Sequence, residues 1–215
     1  MKKIFALILA LLMIAGSVMS LSAAEGEYTD KDKWVLSGES HQNSLGKLVD
    51  GDIKTYWHSY YEAEGSTITV KQEHPFRIKV EFPDKRDISG FCYTPRQDMQ
   101  VGRVHGYNIY LAESKTGKFH LVKTGYIAIG HTTEYVGEFD RAYKAEAAVF
   151  EIFASEADYG CVAELGFLKG SGGIAPAGEI MKEIETSNVS LEKKFETVDT
   201  SKVTVSVSSI VADNF

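Results

Sequence analysis

Hydrophobic and polar residues alternate with a period of two in short runs along most of the chain. In Arg77-Ile78-Lys79-Val80-Glu81-Phe82, the apolar Ile78, Val80 and Phe82 share one face and the charged residues share the other. That alternation predicts a half-buried strand, and Pro83-Asp84-Lys85 predicts a turn that ends it. Phe91 and Tyr93 flank Cys92 in a second such run, and Tyr107, Ile109 and Leu111 alternate with Asn108 and Tyr110 in a third. Phe150 with Ile152, and Leu165 with Phe167, repeat the pattern. No stretch before Gly170 carries the 3.6-residue periodicity of a three-turn helix. Short strands at this spacing across residues 34–169 predict an all-β fold, a β-sandwich or jelly roll.

The two ends read differently. Met1-Lys2-Lys3, an apolar run from Ile4 to Ala15 and small residues through Ala23-Ala24 predict a secretory signal peptide over residues 1–24. The apolar run is too short for a stable membrane span, and no cysteine stands at the cleavage region for lipid attachment. The chain is therefore expected to be secreted. Residues 24–33 are polar and expected to be loose. Gly170-Ser171-Gly172-Gly173, followed by Pro176 and Gly178, reads as a linker. A phosphate-binding loop is excluded there, because no lysine-threonine pair and no βαβ context follow. Val203, Val205 and Val207 alternate with Thr204 and Ser206 beyond it. Residues 170–215 are thus a linker and tail, either a short appendage or a fragment of a second β module.

Composition narrows the function. A formal charge of −7 disfavours nucleic acid and anionic membranes, which demand a basic face. The 11 Tyr, 11 Phe and 2 Trp suit a β-rich core. Two cysteines, Cys92 and Cys161, leave one disulfide open in an oxidising compartment. Catalytic signatures are missing: no His-x-x-x-His pair for a zinc helix and no Gly-x-Ser-x-Gly elbow.

The most informative run is Lys47-Leu48-Val49-Asp50-Gly51-Asp52-Ile53-Lys54-Thr55-Tyr56-Trp57-His58. Two carboxylates around one glycine, with a hydroxyl three residues on, can turn several oxygens inward as hard cations require. An EF-hand is excluded by Lys54 and Tyr61 at its fifth and closing positions. An Asp-Gly-Asp turn with exposed carboxylates is the other reading of the same residues.

These motifs also occur in an ordered set. Trp34 and Ser37-Gly38-Glu39-Ser40 precede the Asp50 run; Ile88-Ser89-Gly90-Phe91, Tyr93-Thr94-Pro95-Arg96-Gln97-Asp98, Tyr107-Asn108-Ile109-Tyr110 and Ala163-Glu164-Leu165 follow it. Over residues 34–169 the set resembles the coagulation factor 5/8 type C (discoidin-like) domain, a galactose-binding-like β-sandwich. It is most similar to family 32 carbohydrate-binding modules and the amino-terminal domain of galactose oxidase. Residues 25–169 would form that domain.

The resemblance implies a structural calcium ion (Ca2+) held by Asp50, Asp52, Thr55 and Glu164, with backbone carbonyls from Lys47 and Ala163. It implies a sugar site in which His58 and Arg96 hold hydroxyls and Tyr159 stacks on the ring. Tyr61 and His41 would line its rim. Relatives that bind galactose often place an asparagine in the loop that reads Asp98-Met99-Gln100-Val101-Gly102 here; Gln100 is the residue able to substitute. The expected function is non-catalytic binding of galactose-type or N-acetylated terminal sugars. The expected partner is a glycan, with a separate enzyme or a cell surface beside it. An adhesion or protein-interaction module on the same fold, or an accessory module of a glycoside hydrolase system, is the alternative.

Overall fold

The computed structural model describes residues 26–60, 70 and 74–181. Its strands are β1 (Val35–Gly38), β2 (Trp57–His58), β3 (Phe76–Thr94), β4 (Val104–Ala112), β5 (His120–Tyr126), β6 (Tyr135–Ser155), β7 (Cys161–Val162) and β8 (Glu164–Lys169). Helical structure among these residues is confined to the 3₁₀ segments Lys31–Lys33 and Gln42–Leu48. None of these is long and apolar enough to cross a membrane. The predicted signal peptide, Tyr61 and the tail from residue 182 lie outside the described residues.

β3 and β6 organise the molecule. They pair antiparallel from Phe76↔Ile152 to Tyr93↔Tyr135, with register shifts at Glu81/Arg86 and Ile88/Gly90. The first half of β3 lies between β1 and the second half of β6, which continues to β4 and β5. The second half of β3 lies between β8 and the first half of β6. The two halves thus feed two facing layers. Phe91 of one layer rests 4.9 Å from the Tyr107 ring and 5.8 Å from Phe150 of the other. Phe82 meets Phe167 edge-on at 5.2 Å, and Trp34 closes on Phe82 at 5.4 Å. The expected β-sandwich is what the chain forms, and Ile78, Val80 and Phe82 are buried as their alternation requires. Each such side chain contributes about 1.5–3 kcal/mol by leaving water.

The structure corrects three expectations. Pro83-Asp84-Lys85 does not end a strand: it sits at the register shift inside β3, where no ladder pair needs the missing proline N–H. The start of the described chain is tied down. Tyr28 N–H donates to the Phe167 carbonyl at 3.0 Å, and the Arg86 guanidinium stacks 4.4 Å over the Tyr28 ring while pairing with Asp30 at 3.0 Å. The glycine-rich linker is also docked. Gly173 N–H donates to Asp87 at 3.1 Å, Lys144 N–H donates to the Ile174 carbonyl, and Leu121 N–H on β5 donates to the Glu179 carbonyl, both at 2.8 Å. Residues 179–181 so cover the edge of β5, which would otherwise expose unpaired backbone groups.

The cysteine question is decided by register. Cys92 lies on β3 opposite Gly166 and Val136, whereas Cys161 lies on β7 opposite His58. Both are buried free thiols. Burial pushes each thiol up to about 12, so neither is a ready nucleophile.

Candidate functional site

One end of the sandwich is built by the short β2–β7 pair, in which His58 faces Cys161 and Trp57 faces Val162. Trp57 is fully buried and its indole N–H donates to the Ser40 carbonyl at 3.0 Å. Ser40 Oγ in turn accepts the Tyr60 N–H at 2.7 Å. Ser59 Oγ accepts the Gly160 N–H at 3.0 Å, and Ser59 N–H donates to the Gly160 carbonyl at 2.8 Å. These bonds clamp the loop after β2 to the loop before β7.

Three of the expected sugar-site residues meet there. His41 adopts a left-handed backbone, φ 41° and ψ 51°, uncommon for a residue with a Cβ. That conformation carries its ring to 4.5 Å from His58 and 4.2 Å from Tyr60. Tyr159 stands edge-on to His58 at 6.2 Å. His58 Nδ1 lies 3.0 Å from the Ser59 carbonyl. A neutral ring therefore carries its proton on Nδ1 and presents Nε2 as an acceptor. Tyr159 gains its place because Gly102, at φ +86°, has no side chain: a Cβ there would stand 2.8 Å from the tyrosine ring and 2.7 Å from Cys161 Sγ.

Arg96 is placed beneath this cluster rather than open to it. It is 4% exposed. Its Nε and Nη2 donate to the two Asp98 oxygens at 2.8 and 2.7 Å, and Nη2 also reaches the Tyr56 hydroxyl at 2.7 Å. Its Nη1 faces Cys161 Sγ at 3.7 Å. The hydrogen bond from Arg96 holds the Asp98 carboxyl below its usual value. Asp98, half exposed at 51%, thus presents an oriented carboxylate at the loop surface. Sequence reasoning passed over Asp98, Tyr56 and Tyr60. The spacing Arg96-x-Asp98 and the run Tyr56-Trp57-His58 were the signals available.

The Asp-Gly-Asp loop lies on the neighbouring flank. Asp50 accepts the Asp52 N–H at 2.9 Å and the Thr55 hydroxyl at 2.7 Å. Glu164, far along the chain on β8, accepts the Gly51 N–H at 2.7 Å. Burial pushes the Glu164 carboxyl up, and the neighbouring Asp50 charge adds to it. Burial would also raise Asp50, yet the bonds from Thr55 and Asp52 hold it below its usual value. Asp52 Oδ1 accepts the Lys54 N–H at 3.0 Å within the same loop. Lys47 lies at the end of the 3₁₀ segment with its charge toward Asp50, and Ala163 is buried between β7 and β8. Lys31 reaches Glu164 at 3.5 Å and Glu27 at 2.7 Å. No group of three His, Cys, Asp or Glu side chains gathers around one point among the described residues. What converges is two carboxylates and a hydroxyl, the oxygen chemistry that a hard divalent cation takes.

Among the described residues, two concavities have linings that do not include His41, His58 or Tyr159. One, about 590 Å³, runs along Lys123 and residues 135–140. The other, about 300 Å³, is lined by Gln100, Val101, His105, Ile129, Ser155 and Glu156. The cluster itself is built from the loops after β1, after β2 and before β7.

The architecture is a galactose-binding-like β-sandwich, the fold of F5/8 type C domains and family 32 carbohydrate-binding modules. The family 32 module of Clostridium perfringens NanJ, solved in complex with galactose, superposes with a TM-score of 0.58 at 20% identity, covering 67% of this chain and 98% of that one. A family 32 module from a family 31 glycoside hydrolase of the same organism gives 0.57 at 23% identity, covering 67% and 96%. Galactose oxidase of Gibberella zeae is 27% identical over 158 residues, 72% of this chain and 22% of that enzyme. The N-acetyl-α-D-galactosamine deacetylase of Flavonifractor plautii is 31% identical over 88 residues, 41% of this chain and 10% of that protein. The chain thus spans about a fifth or less of the curated relatives it matches. No protein-family model matches it.

Proposed function

We propose that this chain is a secreted, non-catalytic carbohydrate-binding module for galactose-type or N-acetylated terminal sugars. The observation that carries the reading is the His41–His58–Tyr60–Tyr159 assembly at one end of the sandwich, with rings 4.2–6.2 Å apart. Tyr159 supplies an apolar face for a sugar ring, His58 Nε2 an acceptor and Asp98 a charged acceptor for hydroxyls. Arg96 orients Asp98 and Tyr56. The NanJ module solved with galactose, and a Clostridium perfringens module solved with GalNAc-β-1,3-galactose, support the sugar class. Affinity for one residue is expected to be weak, because a shallow surface buries little of the ring and exchanges hydroxyl contacts with water.

A structural Ca2+ belongs to the same reading. Asp50, Thr55 and Glu164 would hold it, clipping the loop before β2 to β8 in place of the present hydrogen bonds. Secretion rests on the pattern of residues 1–24, and a glycan-bearing surface or a separate enzyme would be the wider partner. Calorimetric titration with galactose, N-acetylgalactosamine and glucose tests the proposal; no binding of the first two at millimolar concentration would sink it.

A protein-adhesion reading has one observation in its favour. Met99 and Val101, on the loop that follows Arg96, are 48% and 42% exposed. Binding of a protein ligand that survives saturating sugar would support it.

A further inference from the structure

We infer that the cleft lined by Val101, His105, Ile129 and Glu156 is a second sugar subsite, so that the module reads a disaccharide rather than a terminal residue alone. The inference rests on the carbohydrate reading of the His58 cluster.

The cleft and the cluster share one turn. Gly102, whose bare Cα makes room for Tyr159, donates its N–H to the Glu156 carbonyl at 3.4 Å, and its own carbonyl accepts the Cys161 N–H at 2.6 Å. Glu156 N–H returns to the Arg103 carbonyl at 2.8 Å. Val101 precedes Gly102, and Glu156 stands three residues before Tyr159. The same turn thus borders both the Tyr159 ring, through Gly102, and the cleft, through Val101 and Glu156.

The lining has the chemistry of a sugar contact. Glu156 Oε1 accepts the Gly130 N–H at 2.6 Å, whereas Oε2 is buried with no hydrogen-bond partner. A buried carboxylate oxygen left so is costly unless a donor arrives. His105 Nδ1 lies 2.6 Å from the Ile127 carbonyl, so the neutral ring carries its proton there and offers Nε2 as a further acceptor. Val101 and Ile129 are 42% and 70% exposed and provide apolar walls. Acceptors that want hydroxyl hydrogens, between apolar walls that suit C–H faces, describe a hexose. The volume, about 300 Å³, is at the small end of ligand clefts and suits one ring. A basic or amphipathic peptide would meet the same carboxylate, but it would not need the Tyr159 side of the turn.

The test compares N-acetylgalactosamine with GalNAc-β-1,3-galactose by calorimetry on the full chain, with Glu156→Gln and Ile129→Ser as variants. Glutamine keeps an oxygen for Gly130, and Ile129 is exposed, so both variants should fold; melting curves verify that. The disaccharide should bind wild type about tenfold tighter than the monosaccharide, and each variant should lose most of that gain while holding the monosaccharide unchanged. Equal affinity of wild type for the two sugars would overturn the subsite and leave the carbohydrate reading standing. So would variants that weaken both sugars alike. If neither sugar binds, the carbohydrate reading falls and the subsite falls with it.

Discussion

Arg96 stacks its guanidinium 4.1 Å over the Tyr56 ring while both arms of its fork hold Asp98. A planar cation that bonds in its plane and stacks on its face fixes two neighbours at once. On the carbohydrate reading proposed above, the consequence for recognition is indirect: Arg96 sets where Asp98 and Tyr56 stand.

Arg96→Lys is therefore expected to separate charge from geometry. Lysine keeps the positive charge but cannot bond both Asp98 oxygens and stack together. Sugar affinity should fall by about 1–2 kcal/mol, with a similar loss of stability, because one charge-assisted bond pair is removed. Asp98→Asn should cost affinity and a smaller but measurable amount of stability, since Asp98 is half exposed. Full affinity in Arg96→Lys would show that the fork positions nothing the ligand touches.

The same pair sets a pH signature. Asp98 is held below its ordinary 3.8 by Arg96. A depressed carboxyl contributes stability that is fully present above the unfolded value and lost as pH falls through the folded one. The stability difference between wild type and Asp98→Asn should therefore be constant from neutral pH down to about 4 and shrink below it. Denaturant midpoints at pH 7, 5, 3.5 and 2.5 measure it; a difference that grows on acidification would refute the pairing.

Two glycines with left-handed backbones should respond differently to alanine. Gly102 has φ +86° and no room, with Tyr159 and Cys161 within 2.8 Å of any Cβ; Gly51 has φ +79° and open space. Gly51→Ala should cost only backbone strain, on the order of 1 kcal/mol. Gly102→Ala should cost about 2–3 kcal/mol and displace Tyr159, weakening sugar binding as well. Chemical unfolding and titration of both proteins check this.

If a divalent cation joins Asp50, Thr55 and Glu164, Ca2+ should raise the melting temperature, by up to about 2.7 kcal/mol of added stability at a hundredfold excess over its Kd. Chelator should reverse the shift and Glu164→Ala should abolish it. Melting curves that coincide with and without chelator would remove the ion from the account.

The buried thiols give a further check. Cys92 and Cys161 are free and pushed up to about 12 by burial. A thiol reagent at pH 8 should label neither in the native chain and both after denaturation. Mass spectrometry without reduction should find no mass loss for a disulfide.

The sequence alone determined the elements that rest on local periodicity. Ile78, Val80 and Phe82, or Tyr107, Ile109 and Leu111, must share a face in any extended strand, so the sandwich was readable before any contact was known. Of the residues that the resemblance assigned to a sugar site, His41, His58 and Tyr159 do lie side by side, whereas Arg96 is buried against Asp98. What tertiary structure decided were relations between distant residues. The Pro83 turn became a shift inside one long strand because β6 pairs on both sides of it. The glycine-rich segment was held by Asp87, Lys144 and β5, none of them near it in sequence. Asp98 claimed Arg96, and the loop backbone claimed Asp52, because a side chain's partners follow from three-dimensional distance and from burial. Residue type and spacing show what a group can bond; only packing shows which bonds are already taken.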